Sequence, residues 1–334
     1  MDRHCAGLFV CAPSTQNRQK RFPSSWQSLW HFHKATATSQ RLTTPTRTDW
    51  LSIFALGLIW GGTFMVIAFA LRGYGPITVA CARTTLGAVT TLALLRATGR
   101  SLPNSAAVWR SAVPIGLFST ALPFFLLSWG QQSVPSAFAG LSMAAVPLFV
   151  LPLAHAFSDE PLTRRKSAGF ALGFAGVVLL LGPSAFSGDA ATLARLACLA
   201  AALSYAVSSV LTRRCPPVDP VALAAATLMV GAVVLIPAML LVEGLPGWAG
   251  NGPGFAILFL GLVPTAFAAL LRVSVIRSAG SGFMTLTNYQ VPLWSMAFGS
   301  LFLSETLPPT FFASLGLILT GLAISQSRRS AGRA

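Results

Sequence analysis

Residues 291–307 read "VPLWSMAFGSLFLSETL", and residues 146–162 read "VPLFVLPLAHAFSDEPL". Both open on Val-Pro-Leu and close on a glutamate two residues before a leucine. The glutamates are Glu160 and Glu305. Their surroundings differ. Arg164, Arg165 and Lys166 follow the first copy, whereas Pro308 and Pro309 follow the second, with no base until Arg328. The same phrase thus occurs twice in different electrostatic settings.

The copies are 145 residues apart, and the offset extends beyond them. Between 133 and 162, ten of thirty positions are identical to those 145 residues later, without a gap. Gly116 and Thr120 fall on Gly261 and Thr265, and Gly176 falls on Gly321. At an offset of 144, Pro76 falls on Pro220, and "GAV" at 87–89 on "GAV" at 231–233. Apolar runs match one another by composition alone, so the Pro, Gly and Glu coincidences carry the weight. They indicate a duplicated unit.

Composition identifies the solvent. The chain is 54% hydrophobic and 9% charged, against roughly 25% charged residues in soluble domains. A spanning helix needs about 20 mainly apolar residues, and ten such runs are expected: 50–71, 76–95, 111–129, 134–154, 168–184, 193–212, 220–242, 254–274, 279–303 and 309–326. The fold class is therefore an all-α membrane protein. The net charge of +15 would suggest nucleic acid in a soluble protein. Here the bases lie between apolar runs, so the expected partners are a lipid bilayer and a small-molecule substrate, not nucleic acid. The cysteines and histidines show no metal-ligand spacing, and neither metal nor cofactor is expected.

Twenty Lys and Arg fall on one side of these runs and two, Arg72 and Arg195, on the other. The positive-inside rule makes the rich side cytoplasmic, so both termini lie inside and the number of spans is even. Each repeat then holds five spans. Because five is odd, the second copy enters from the opposite face, so only the cytoplasmic glutamate keeps a basic tail. The expected architecture is ten transmembrane helices as two inverted five-helix repeats, 49–188 and 189–327. A cytoplasmic tail covers 328–334. The basic head, 1–48, reads as a disordered tail or a start assigned too early, with an organelle transit peptide as the sharper alternative. Inverted repeats characterise secondary transporters that bind substrate near the midplane.

Several local patterns carry a family resemblance: "LIWGGTF" at 58–64, "ARTTLGAV" at 82–89, "AALSYAVSSVLTRR" at 201–214 and 291–307 itself, followed by Gly316 and Gly321. In order and spacing the chain resembles the EamA-type members of the drug/metabolite transporter superfamily, over about 50–326. The resemblance implies a ten-helix inner-membrane exporter or exchanger of small metabolites, for which amino acids and related amphipathic compounds are the expected class. Tyr205 stands where that family commonly has Trp. The competing reading is a non-transporting membrane protein, a lipid-handling protein or scaffold. A homodimer is compatible with the glycine-rich first span, although "GLIWGG" could equally pack helices within one chain.

Candidate site residues follow from cost. Arg83 is the one Lys or Arg well inside a span, about 10 Å past Pro76 at 1.5 Å per residue. A charge at depth costs about 2.5–3.5 kcal/mol on insertion scales, so it needs a partner, a wet cavity or a way to snorkel. Substrate-anion contact and a gating pair are the functional alternatives. "TNYQVP" at 287–292 places Asn288, Tyr289 and Gln290 just before Pro292, where a helix break is expected; Met143, Ala144 and Ala145 are their repeat partners, before Pro147, and substrate contact is the expected role of the polar copy, with interhelical hydrogen bonding as the alternative. Trp60 and Tyr205 match at the 145 offset and are candidates for the pathway, with core packing as the alternative. Glu160 and Glu305 end their spans. Structural pairing or a helix-start role suits them, since a carboxylate is stabilised near the N-terminus of the helix that follows; proton coupling is the other possibility.

Overall fold

The structure, a computed structural model, describes residues 45–157, 162–182 and 188–326. Glu160, the tail at 328–334 and the head up to residue 44 lie outside the described residues. Among the described residues there is no strand. The helices run α1 (Arg47–Ala70), α2 (Pro76–Ala97), α3 (Ala106–Gly130), α4 (Ser136–Phe157) and α5 (Arg164–Leu181), then α6 (Ala190–Arg213), α7 (Pro220–Val242), α8 (Asn251–Ala279), α9 (Thr287–Leu303) and α10 (Pro309–Gln326). Eight of them are long and apolar enough to cross a membrane. The others are α5, which opens on Arg164, Arg165 and Lys166, and α9, which has 17 residues behind a separate short turn, Ser281–Met284.

Helices α1, α3, α5, α6 and α8 begin before their apolar runs, whereas α9 begins at Thr287 rather than 279. Helix α5 starts at Arg164 rather than 168, because Thr163 caps it by accepting from the Lys166 N–H; a first turn can be polar, since its N–H groups are unsatisfied by the helix itself. Outward faces are apolar: Leu301 is 75% exposed and Val233 71%, as a lipid-facing surface requires. The interior is instead rich in small residues. Gly, Ala, Ser and Thr let backbones approach closely where no hydrophobic effect drives helices together.

The repeat is visible in the packing. Helices α5 and α10 cross where Gly169 and Gly173 meet Gly321, and Gly176 meets Ser314 and Ile318. A shift of 145 carries 169, 173 and 176 onto 314, 318 and 321, so this contact maps onto itself. Gly87 on α2 packs against Thr265 on α8, and Gly231 on α7 packs against Thr120 on α3. The two halves therefore exchange equivalent contacts. Gly57, Gly61 and Gly62 on α1 lie against Gln290, Trp294 and Phe298 on α9, so the "GLIWGG" stretch packs helices within one chain.

Two wide turns also recur. Residues Leu117–Ala121 in α3 and Gly261–Phe267 in α8 are π-helical, a geometry that inserts a residue into an α-helix and is common at functional sites. In α8 the cause is legible. Pro264 has no N–H for the Leu260 carbonyl four residues back, and the Thr265 hydroxyl donates to that carbonyl instead, at 2.8 Å. In α3 the Thr120 hydroxyl donates to the Gly116 carbonyl at 2.6 Å. The repeat-paired prolines Pro147 and Pro292 each follow an irregular turn. Pro147 is preceded by a tight 3-10 turn, Met143–Ala145. Ahead of Pro292 the irregular turn falls at Thr285 and Leu286, where Asn288 and Tyr289 N–H groups donate three residues back.

Candidate functional site

Arg83 projects from α2 into the molecule and is 7% exposed. Its Nε donates to Thr265 Oγ1 at 2.9 Å, and its guanidinium carbon sits 3.8 Å from the centre of the Phe124 ring. No carboxylate pairs with it among the described residues. The wide turn of α8 also receives Trp60, whose indole N–H donates to the Pro264 carbonyl at 3.2 Å. Tyr205 packs against both the cluster that holds Ala121 and Phe124 and the cluster that Trp60 flanks. The structure thus gathers Trp60, Arg83 and Tyr205 around Phe124 and the α8 turn. The equivalent place in the other half carries no charge: there Thr120 donates to the Thr227 backbone carbonyl at 3.3 Å.

The polar stretch at 288–290 lies elsewhere. Because the chain turns at 285–286, these residues open α9 instead of sitting midway along it. Asn288 is exposed, Tyr289 donates its hydroxyl to Gln326 at 3.1 Å, and Gln290 lies over Gly57 of α1. No hydrogen bond or ring contact joins them to Arg83 among the described residues.

Glu305 serves not the helix that follows it, α10, but the start of a helix in the other half. Its carboxylate accepts from the Ser136 and Ala137 N–H groups of α4 at 2.6 and 2.9 Å. Ser304, with φ of 55°, is the non-glycine left-handed residue among the described residues, and it turns the chain so that Glu305 points back. Glu243, at the end of α7, does the same for α2, accepting from Ile77 and Thr78 at 2.9 and 2.8 Å. Both helices lack a cap of their own, since their preceding residues are Gly75 and Pro135. The sequence does not single out Glu243; its one signal is a Gly-Pro helix start at 75–76 with no capping side chain. Thr265 and Phe124 were missed as well, because nothing in the local pattern shows which helices cross.

The two ends of α2 carry opposite chemistry. A cavity of about 490 Å³ at its C-terminal end is lined by Thr98, Arg100, Ser274 and Arg277. One of about 340 Å³ at its N-terminal end is lined by Tyr74, Thr78, Glu243 and Trp248. Near the basic end, Ser278 at the end of α8 donates to Asp49 at the start of α1. Each end therefore holds ties between the two halves.

The comparisons agree with this geometry. The model of the EamA-like transporter family matches twice, over 49–182 and 192–326. The chain is 28% identical to an uncharacterized inner membrane transporter, YedA, of Escherichia coli strain K12, covering 82% of this chain and 89% of that one. It is 26% identical to a probable terminal-alkyne amino-acid exporter of Streptantibioticus cattleyicolor, covering 82% and 91%. A solved crystal structure superposes with a TM-score of 0.61 over 85% of this chain and 98% of its own, at 22% identity, which shows the fold. Two matched units, all-helical halves and exchanged contacts converge, and the chain belongs to the EamA-like transporter family.

Proposed function

We propose that the protein is a secondary transporter of the inner membrane. It exports amino acids or related amphipathic metabolites by alternating access between two inverted five-helix repeats. Helices α5 and α9 complete ten spans, and both termini face the cytoplasm. The carrying observation is the exchange of contacts: Gly87 on Thr265 and Gly231 on Thr120, with α5 and α10 crossing on themselves. Such a pair of halves can trade conformations, opening one face and then the other. The basic end of α2 is then cytoplasmic, and Glu243 and Glu305 tie the halves at the outer face. Trp60, Arg83 and Tyr205 lie on the cargo path, and Tyr289 and Gln290 stand at its cytoplasmic rim. The amino-acid class is supported by the exporter of Streptantibioticus cattleyicolor among the relatives.

Counterflow in proteoliposomes tests this, with unlabelled solute inside and labelled amino acids, nucleosides or organic acids outside. Counterflow needs no coupling gradient, so an unknown driving ion does not hide activity. The expected result is labelled uptake that depends on the internal solute. Silence from folded protein across all three classes sinks the transport reading and favours the non-transporting alternative.

A further inference from the structure

The buried cation beside the α8 turn has no carboxylate partner among the described residues, and its geometry is specific. Of the donors on Arg83, Nε is committed to Thr265, and one face of the guanidinium lies on Phe124. Both Nη groups keep their hydrogens without a protein acceptor among the described residues. A planar fork with two free parallel N–H bonds matches a carboxylate bidentately. Phe124 belongs to an apolar cluster with Ala80 and Ala121 that Tyr205 flanks, and Trp60 reaches the same α8 turn as Arg83 through the Pro264 carbonyl. Thr227, at the repeat-equivalent position, is neutral, so packing of the shared scaffold does not call for the charge.

We infer that Arg83 is the subsite for the carboxylate of the cargo, held end-on by its two Nη groups, and that the apolar body of the same molecule lies toward Phe124, Trp60 and Tyr205. Cargo is therefore a small carboxylate with an apolar or aromatic body. Thr265 is a positioning residue: it fixes Nε, and with it the direction of the free fork. This inference rests on the transport reading for its role, but the binding it describes is measurable without transport.

The purified full-length chain in detergent is melted with four probes: L-phenylalanine, 3-phenylpropionate, L-phenylalaninamide and phenethylamine. The two carboxylates are expected to raise the Tm of the unaltered protein, while the amide and the amine do not. Arg83→Gln abolishes the carboxylate shift. Arg83→Lys keeps a point charge but not the fork, and weakens the apparent Kd at least about tenfold. Should Arg83→Gln fail to fold, Arg83→Lys decides. Four results overturn the inference: no carboxylate shift in the unaltered protein, equal stabilisation by the amide or amine, an undiminished response in Arg83→Gln, or unchanged affinity in Arg83→Lys. The two proposals fail separately. Carboxylate binding with silent counterflow removes transport and leaves the subsite. Counterflow of carboxylate-free solutes without a carboxylate shift does the reverse.

Discussion

Helices α2 and α7 lie side by side and antiparallel, and their starts are equivalent positions of the two repeats, yet each start is capped differently. At α7, Asp219 caps its own helix, accepting from Val221 and Ala222 at 2.9 and 3.1 Å through one oxygen. The other oxygen takes Arg100, from beyond the end of α2, at 3.3 Å and Arg277 at 3.4 Å. At α2, Gly75 offers no side chain, and the cap comes from Glu243 at the far end of α7. In the first case cap and tie are separate, and the tie is a half-exposed ion pair. In the second the tie is the cap. The same pair of helices is thus fastened loosely at one end and tightly at the other.

Removing the dual-purpose groups should cost most. Glu243→Ala and Glu305→Ala each strand two helix N–H groups and cut a link between the halves. A loss of about 2 kcal/mol each is expected in denaturant unfolding in detergent. A loss within error for both would mean that water caps α2 and α4 equally well.

Giving α2 its own cap separates the two roles of Glu243. Gly75→Asp in the Glu243→Ala background should recover about 1 kcal/mol, the usual worth of an N-cap. In the unaltered protein the same change should destabilise, because a Cβ there falls on the Glu243 carboxylate. The same sign in both backgrounds would break the idea that cap and tie are one group.

The smallest effect is expected at the loose end. Arg100→Ala should cost under about 0.5 kcal/mol and less at high salt, since the pair is exposed and Asp219 keeps its backbone bonds. A cost matching that of Glu243→Ala would erase the contrast.

Some of this was legible in the sequence, for physical reasons. A glycine at a helix crossing and a proline at a bend are dictated by backbone shape, so duplicated backbones keep them; Gly176 with Gly321 and Pro147 with Pro292 made the repeat readable. Arg83 stood out because depth makes a charge costly. Its partners did not, because Thr265 lies 182 residues away and periodicity gives a helix's faces, not its neighbours. Glu305 could be read as suited to a helix start, but not as belonging to Ser136 and Ala137 in the other half. The "TNYQVP" stretch could be read as polar and near a break. Its depth depended on where the break falls, and the turn at 285–286 precedes Pro292 by more than one helical turn.

The wide turns have a consequence for history. A wide turn at the same place in α3 and α8 is what copying a unit that already carried the bulge would leave behind. Arg83 has no counterpart at Thr227, so the difference between them dates from after the copies parted. The bulge belongs to the repeated backbone, whereas the lone charge at Arg83, against Thr227, is where the two halves differ.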